Sequence, residues 1–472
     1  METKPAKIKI ERKITSLVKP LEPTPTQLLS FSTIDNDPNI EILCQTIYVY
    51  KAHSCGSTTD PAILIQEALS KVLVYYYPLA GRIKRNNDRR LEMNCNSEGV
   101  PFLVASSNCT LSSLNYFEGI DVNIASLFAY EPDYNDSTTG THPLVMQVTK
   151  FECGGFAISM GLSHSVCDGF GAAQFFQAMA ELASGKSECS VKPIWQRERL
   201  IGKANPPESV DKSIPLISEE GPLATSPYLP ATDLVHECFH VEVESIKRLK
   251  MHLMKESTEA DHQNFELKEG FTTLEIMGAY IWRSRLRALE LDLTGKTRLM
   301  VTVGIRNLLN PPLHKGYYGN AFVGSKVELT GRELNEAPLY EVARLIKEAK
   351  RRASKTEYIW SWLGLMEKVN QHGLKAKADG ATMVLTDWRQ LGLLEEIDFG
   401  WKGAVNVVPV PWKMFGYVDL CIFMPPFSLD DSAKGGIRVL VCLPRAAMTR
   451  FKEEMNALNT SKLIAMDFVE EF

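Results

Sequence analysis

Residues 156–185, FAISMGLSHSVCDGFGAAQFFQAMAELASG, change hydrophobic pattern across the six residues HSVCDG. FAISMGLSH (156–164) is a dense apolar run of strand length, whereas GAAQFFQAMAELAS (171–184) spaces Phe175, Phe176 and Met179 as the core side of a helix. His164 ends the first element and Asp168-Gly169 opens the second. A strand-to-helix corner projects a side chain from a sheet edge into a cleft, while packed elements on both sides hold it still. That placement suits a general base, which must meet its proton donor at about 2.6–3.2 Å. It suits equally a histidine bonded to a backbone carbonyl beside an aspartate that caps a helix. The local pattern leaves both readings open.

The same two periods recur along the chain. IEILCQTIYVY (40–50), LVMQVTK (144–150), RLMVTVGIR (298–306) and IRVLVCLP (437–444) read as strands. PAILIQEALSKVLVYY (61–76), TTLEIMGAYIWRSRLRAL (272–289) and LYEVARLIKEAKRRAS (339–354) read as helices. Mixed but not strictly alternating elements predict an α/β protein with mixed sheets. A chain of 472 residues exceeds one ordinary core. The Pro- and Ser-rich stretch at 204–233 has neither period and reads as a linker. Domains are therefore expected at 1–203 and 234–472.

Composition narrows the function classes. The chain is 44% hydrophobic and 23% charged with a formal net charge of −5, and has no clustered basic tract of the kind nucleic acid requires. No apolar run approaches the roughly 20 residues of a membrane span. The basic N-terminus lacks an apolar core and a cleavage site, so a cytoplasmic protein is expected. None of the ten cysteines forms a C-x-x-C pair, which leaves them as small buried hydrophobes.

Spacing alone does not single out His164. Four histidines have an acid four residues on, His164/Asp168, His240/Glu244, His252/Glu256 and His262/Glu266, where the composition gives about one by chance. The run 236-HECFH-240 matches a zinc pattern that works on a helix. Here Val235, Phe239, Val241 and Val243 alternate as on a strand. On a strand the two histidines stand about 13 Å apart, too far to share a metal, and no metal site is expected. His252 and His262 fall in a polar helical stretch and read as solvated. Ser163 points to the strand face opposite His164, and Cys167 has no nucleophile elbow around it, so neither reads as a covalent nucleophile.

A second motif lies 230 residues downstream, 398-DFGWK-402. His-Ser-Val-Cys-Asp-Gly together with Asp-Phe-Gly-Trp resembles the BAHD family of plant acyl-CoA-dependent acyltransferases. The likeness extends through 75-YYYPLAGR-82, 306-RNLLNPPLHKGYYGNAFVG-324 and 385-LTDWRQ-390, in the family's order over nearly the whole chain. GYYGNAFV and the early S-x-x-D (Ser32 to Asp35) look most like the subgroup that acylates taxane-type terpenoids and aromatic or aliphatic alcohols.

The resemblance implies two chloramphenicol-acetyltransferase-like domains joined by a long crossover, with a channel between them. It implies acyl-CoA as co-substrate, no permanently bound cofactor, a monomer, and a small hydrophobic alcohol as acceptor. The family's base falls on His164 and its motif aspartate on Asp168, which turns from the substrate toward an arginine; Arg306 is the candidate. Thr386 and Trp388 fall on a Thr-x-Trp segment whose hydroxyl and indole N–H can face a developing oxyanion. Asp398, Gly400 and Trp401 are structural in the family. Lys402 stands where the family has glycine, a change that bears on loop conformation more than on chemistry, with the lysine solvated. The reaction implied is direct O-acylation with acetyl or an aromatic acyl group such as benzoyl. N-acylation of an amine and a catalytically silent binding protein are the alternatives. An acidic residue in the acceptor pocket would favour the amine.

Overall fold

In the computed structural model the chain builds two six-stranded mixed sheets and a three-stranded one. The structure describes residues 8–460 except 53–58, 120–121, 133–139, 204–220, 261–269, 374, 376–378, 395–396 and 411–418. Residues 204–220 of the expected linker, and His262 with Glu266, lie outside the described residues.

The first large sheet runs Ile10–Val18, Val100–Ser107, Leu144–Phe151, Phe156–Ser163, Leu43–Tyr50, Asn406–Val410, antiparallel except for the pair 100–107 with 144–151. The second runs Phe322–Thr330, Lys296–Gly304, Thr382–Asp387, Leu420–Met424, Ile437–Pro444, Leu234–Val241, with the two pairs flanking Thr382–Asp387 parallel. The residues HECFH thus lie on an edge strand, where His240 pairs with Glu118 at 2.6 Å. His252 sits on the helix Val243–Ala260, 3.3 Å from Glu256.

Period two explains how each sheet serves two surfaces. On Lys296–Gly304, Leu299 and Val301 pack into the core with the helices Thr273–Ala288 and Leu339–Ala353, whereas the side chains of Arg298, Met300 and Thr302, with the edge of Val301, line a cavity. Phe156–Ser163 is buried along its whole length and therefore reads as a continuous apolar run. Met160, Leu162 and His164 line the cavity, and Ser163 faces away from it. The helix Gly169–Ala183 starts on Asp168, whose side chain accepts the Gly171 N–H at 3.0 Å, and buries Phe175, Phe176 and Met179.

The C-terminal half also enters the first core. Its segment Asn406–Val410 adds an antiparallel strand beside Leu43–Tyr50. The preceding 398-DFGWK-402 loop buries Phe399 against Phe176 and Trp401 against Phe156, at ring separations of 5.3 and 5.0 Å. Asp398 Oδ1 closes that loop by accepting the Gly400 and Lys402 N–H groups at 2.7 and 2.9 Å. Gly400, Lys402 and Gly403 have φ of 97°, 66° and 80°. The left-handed backbone at 402 explains why glycine suits this position, and it costs a lysine about 1–2 kcal/mol. Lys402→Gly is therefore expected to raise the apparent Tm by about 1–3 °C in a thermal melt.

Candidate active site

A cavity of about 710 Å³ separates the end of the helix Gly169–Ala183 and the adjoining face of the first sheet from the inner face of the second. Its volume is that of a small-molecule site. His164 stands in its wall, half-buried, with Cys44, Thr46 and Tyr48 from the neighbouring strand.

The backbone of His164 is pinned on both sides. Its N–H donates to the Ile42 carbonyl at 2.9 Å, and its carbonyl accepts from Asn320 Nδ2 at 2.7 Å. Asn320 Nδ2 also donates to Asp35 Oδ1 at 2.7 Å. Asp35 is ion-paired at 3.3 Å with Arg197, a fully buried guanidinium that donates to the Val166 carbonyl at 2.7 Å and lies 4.3 Å from the Trp195 ring. The S-x-x-D and Y-Y-G-N segments, distant in sequence, thus meet under the His164 corner. Gly319 is required there, because a Cβ would fall 1.3 Å from Arg197 Nη1.

Asp168 is saturated. Oδ1 accepts from Gly171 N at 3.0 Å and Arg306 Nη2 at 2.7 Å, and Oδ2 from Arg306 Nη1 at 2.8 Å and Ala321 N at 3.1 Å. A carboxylate has about four lone-pair sites, so none is left for the imidazole. His164 Nδ1 is buried with no hydrogen-bond partner among the described residues. The ring is therefore placed by its backbone and by packing near Phe322, with ring centroids 6.2 Å apart.

Thr386 and Trp388 both reach the cavity wall. Trp388 is held by its backbone N–H on the Phe423 carbonyl at 2.7 Å. Neither the Thr386 hydroxyl nor the Trp388 indole N–H has a hydrogen bond among the described residues, which leaves two donors open to the cavity. Asp398, Gly400 and Trp401 do not line it. No thiolate is available either. Burial pushes the Cys167 thiol well above its usual range and Cys44 up to about 12. Among the described residues no group of His, Cys, Asp and Glu could hold a metal ion, and no helix is long and apolar enough to cross a membrane.

Sequence reasoning did not find Asn320, Arg197 or the role of Asp35, nor Asp37, which also lines the cavity.

A family model described as the Transferase family matches residues 8–458. The chain belongs to that family, the BAHD acyltransferases. It is 44% identical over 456 residues to the spermidine sinapoyl-CoA acyltransferase of Arabidopsis thaliana, covering 95% of this chain and 97% of the relative. It is 31% identical over 442 residues to the 3'-N-debenzoyl-2'-deoxytaxol N-benzoyltransferase of Taxus canadensis, covering 94% of each. Among solved structures, vinorine synthase shares the fold with a TM-score of 0.70 at 20% identity, over 95% of this chain and 98% of that one. As a member of the family the protein is an acyltransferase whose co-substrate is a CoA thioester, and the family uses no permanently bound cofactor.

Asp168→Asn removes the charge opposite Arg306 while keeping the shape. Breaking one side of a buried ion pair is expected to destabilise the protein by about 3 kcal/mol, read as a lower Tm and less soluble protein.

Proposed function

We propose that this acyltransferase moves an aromatic acyl group from CoA to a primary amine of an aliphatic polyamine. The observation that carries this reading is the acidic cavity wall. Asp37 and Asp379 line it without an ion-pair partner among the described residues, whereas Asp168, Asp387 and Asp419 line it already paired with Arg306, Arg389 and Arg285; Arg298 and Lys375 line it too. Arg298 is itself occupied by Glu328 at 2.8 Å. An acidic lining favours a cationic acceptor over a neutral one. The names of two relatives support the choice: the spermidine sinapoyl-CoA acyltransferase and, at 45% identity, the spermidine coumaroyl-CoA acyltransferase of Arabidopsis thaliana.

In this reading the attacking nitrogen enters neutral and adds to the thioester carbonyl. The carbonyl oxygen takes up negative charge opposite the Thr386 hydroxyl and the Trp388 indole N–H. His164 removes the proton from the nitrogen in the tetrahedral intermediate. Collapse returns the oxyanion pair to the carbonyl of the new amide and breaks the C–S bond, and CoA leaves as a thiol carrying the proton from His164. Asp168 takes no part in proton transfer: with Arg306 and the Ala321 N–H it fixes the corner that carries His164. Asp398, Gly400 and Trp401 act on the fold.

The alcohol acceptor expected from the sequence is the second reading. An apolar side of the cavity, with Met160, Leu162, Met300, Phe322 and Trp362, favours it, as does a benzyl alcohol O-benzoyltransferase of Nicotiana tabacum at 29% identity. The same wall can hold the aromatic acyl group in the amine reading.

Two measurements test the proposal. His164→Ala should lower turnover by about 100-fold or more, and retention of more than a few per cent of wild-type activity would remove the base from His164. A primary alkylamine titrates near the lysine value of about 10.4, so its neutral fraction grows about tenfold per pH unit between 7 and 9. With spermidine, kcat/KM should follow that rise, whereas with a benzyl-type alcohol it should be nearly flat. Product formation from alcohols and none from amines, assayed by mass spectrometry, would leave the alcohol reading in its place.

A further inference from the structure

The five cavity aspartates differ in what they already hold. Asp168 is filled by four donors. Asp387 is clasped by Arg389, at 2.8 Å through Nε to Oδ1 and 2.5 Å through Nη2 to Oδ2. Asp419 is ion-paired with Arg285 at 3.3 Å and takes the Gly380 and Asp379 N–H groups. Asp379 gives one oxygen to the Thr382 N–H at 2.8 Å and the other to its hydroxyl at 3.3 Å.

Asp37 is the exception. Its Oδ1 accepts the Asn39 N–H at 2.9 Å and the Asn39 Nδ2 at 2.7 Å, and its Oδ2 has no hydrogen bond or ion pair among the described residues. The loop that carries it is closed by its own backbone hydrogen bonds. Asp37 N–H donates to the Ile34 carbonyl and its own carbonyl accepts from Ile40 N–H, both at 3.1 Å. Asp37 lines the same cavity as His164 and lies within electrostatic reach of it. Burial holds its carboxyl above the usual range, the mark of a charge whose surroundings supply too little compensation.

We propose that Asp37 is the acceptor-specificity residue, its free Oδ2 binding a second, non-reacting ammonium of the polyamine while the neutral nitrogen meets His164. This rests on the amine reading above and adds to it a fixed point of attachment. A polyamine can satisfy both groups at once, because its nitrogens are separated by flexible methylene chains and only one of them must shed its proton. A monoamine satisfies only one. Asp37 then selects for a second charge, and the distance from its Oδ2 to His164 selects which nitrogen is acylated.

The test compares wild type, Asp37→Asn and Asp37→Glu with coumaroyl-CoA as donor and spermidine, putrescine or octylamine as acceptor. Asparagine keeps the Oδ1 that binds Asn39, so Asp37→Asn is expected to fold. It should raise KM for spermidine by about tenfold or more, with a smaller penalty for octylamine and little change in KM for the acyl-CoA. Asp37→Glu restores the charge about one methylene farther out. It should recover part of the spermidine affinity and shift the ratio of products acylated at different nitrogens. A spermidine KM in Asp37→Asn within about twofold of wild type, or equal penalties for spermidine and octylamine, would overturn the assignment of Asp37 and leave the amine reading intact. A wild-type enzyme that acylates no amine at all would overturn both.

Discussion

The Asp168 carboxylate is the constraint on which the site depends. It joins the strand-to-helix corner of the N-terminal half to Arg306 and Ala321 of the C-terminal half, so the wall that carries His164 and the wall opposite it are set by one buried anion. A buried carboxylate is costly unless its lone pairs are filled, and here four donors fill them. The same fact separates this site from a charge-relay triad, in which the carboxylate faces the imidazole. Asp168 acts on His164 only through the backbone that connects them.

A second buried pair, Asp35 with Arg197, repeats that logic on the other side of the corner. Asn320 carries its effect to the His164 carbonyl, and Gly319 is small because the guanidinium needs its space. Both devices fix backbone, and His164 Nδ1 keeps no hydrogen-bond partner among the described residues. In the proposed role as base, a histidine placed this way keeps Nδ1 available for a proton that comes from substrate. Its alignment rests on the rigidity of two packed elements, which burial of Phe156–Ser163 along its whole length supplies.

Much of this architecture was legible in the sequence because it is local. Strand and helix periods marked Phe156–Ser163, Lys296–Gly304, Gly169–Ala183 and Leu339–Ala353, and the alternation around HECFH marked a strand rather than a zinc helix. What escaped was non-local. Asn406–Val410 has too few residues to announce that it pairs with Leu43–Tyr50 some 360 positions away, and contiguous boundaries hide the exchange. Asp35 and Asp37 stand two residues apart in the same loop with the same chemistry, yet one is consumed by Arg197 and Asn320 and the other opens into the cavity. Only the partners that the fold brings up distinguish them. Lys402 was visible as a departure, and its backbone angle gives the departure a cost.

The sorting of carboxylates bears on how the reaction could proceed past its first step. A cavity with one free acidic oxygen and one base offers a polyamine two distinct environments, one that rewards charge and one that requires its loss. Acylation removes basicity only from the nitrogen that reacts. An ammonium held at Asp37 is chemically the same before and after the transfer, so this anchor does not by itself discriminate product from substrate. In the proposed amine reading, release would come from the other end of the molecule, where the acyl group against the apolar wall formed by Met160, Leu162 and Met300 is no longer tethered to CoA. In that reading the two linings serve different parts of the product: the carboxylate left free at Asp37 suits a cationic chain, and the apolar wall suits the acyl group that joins it.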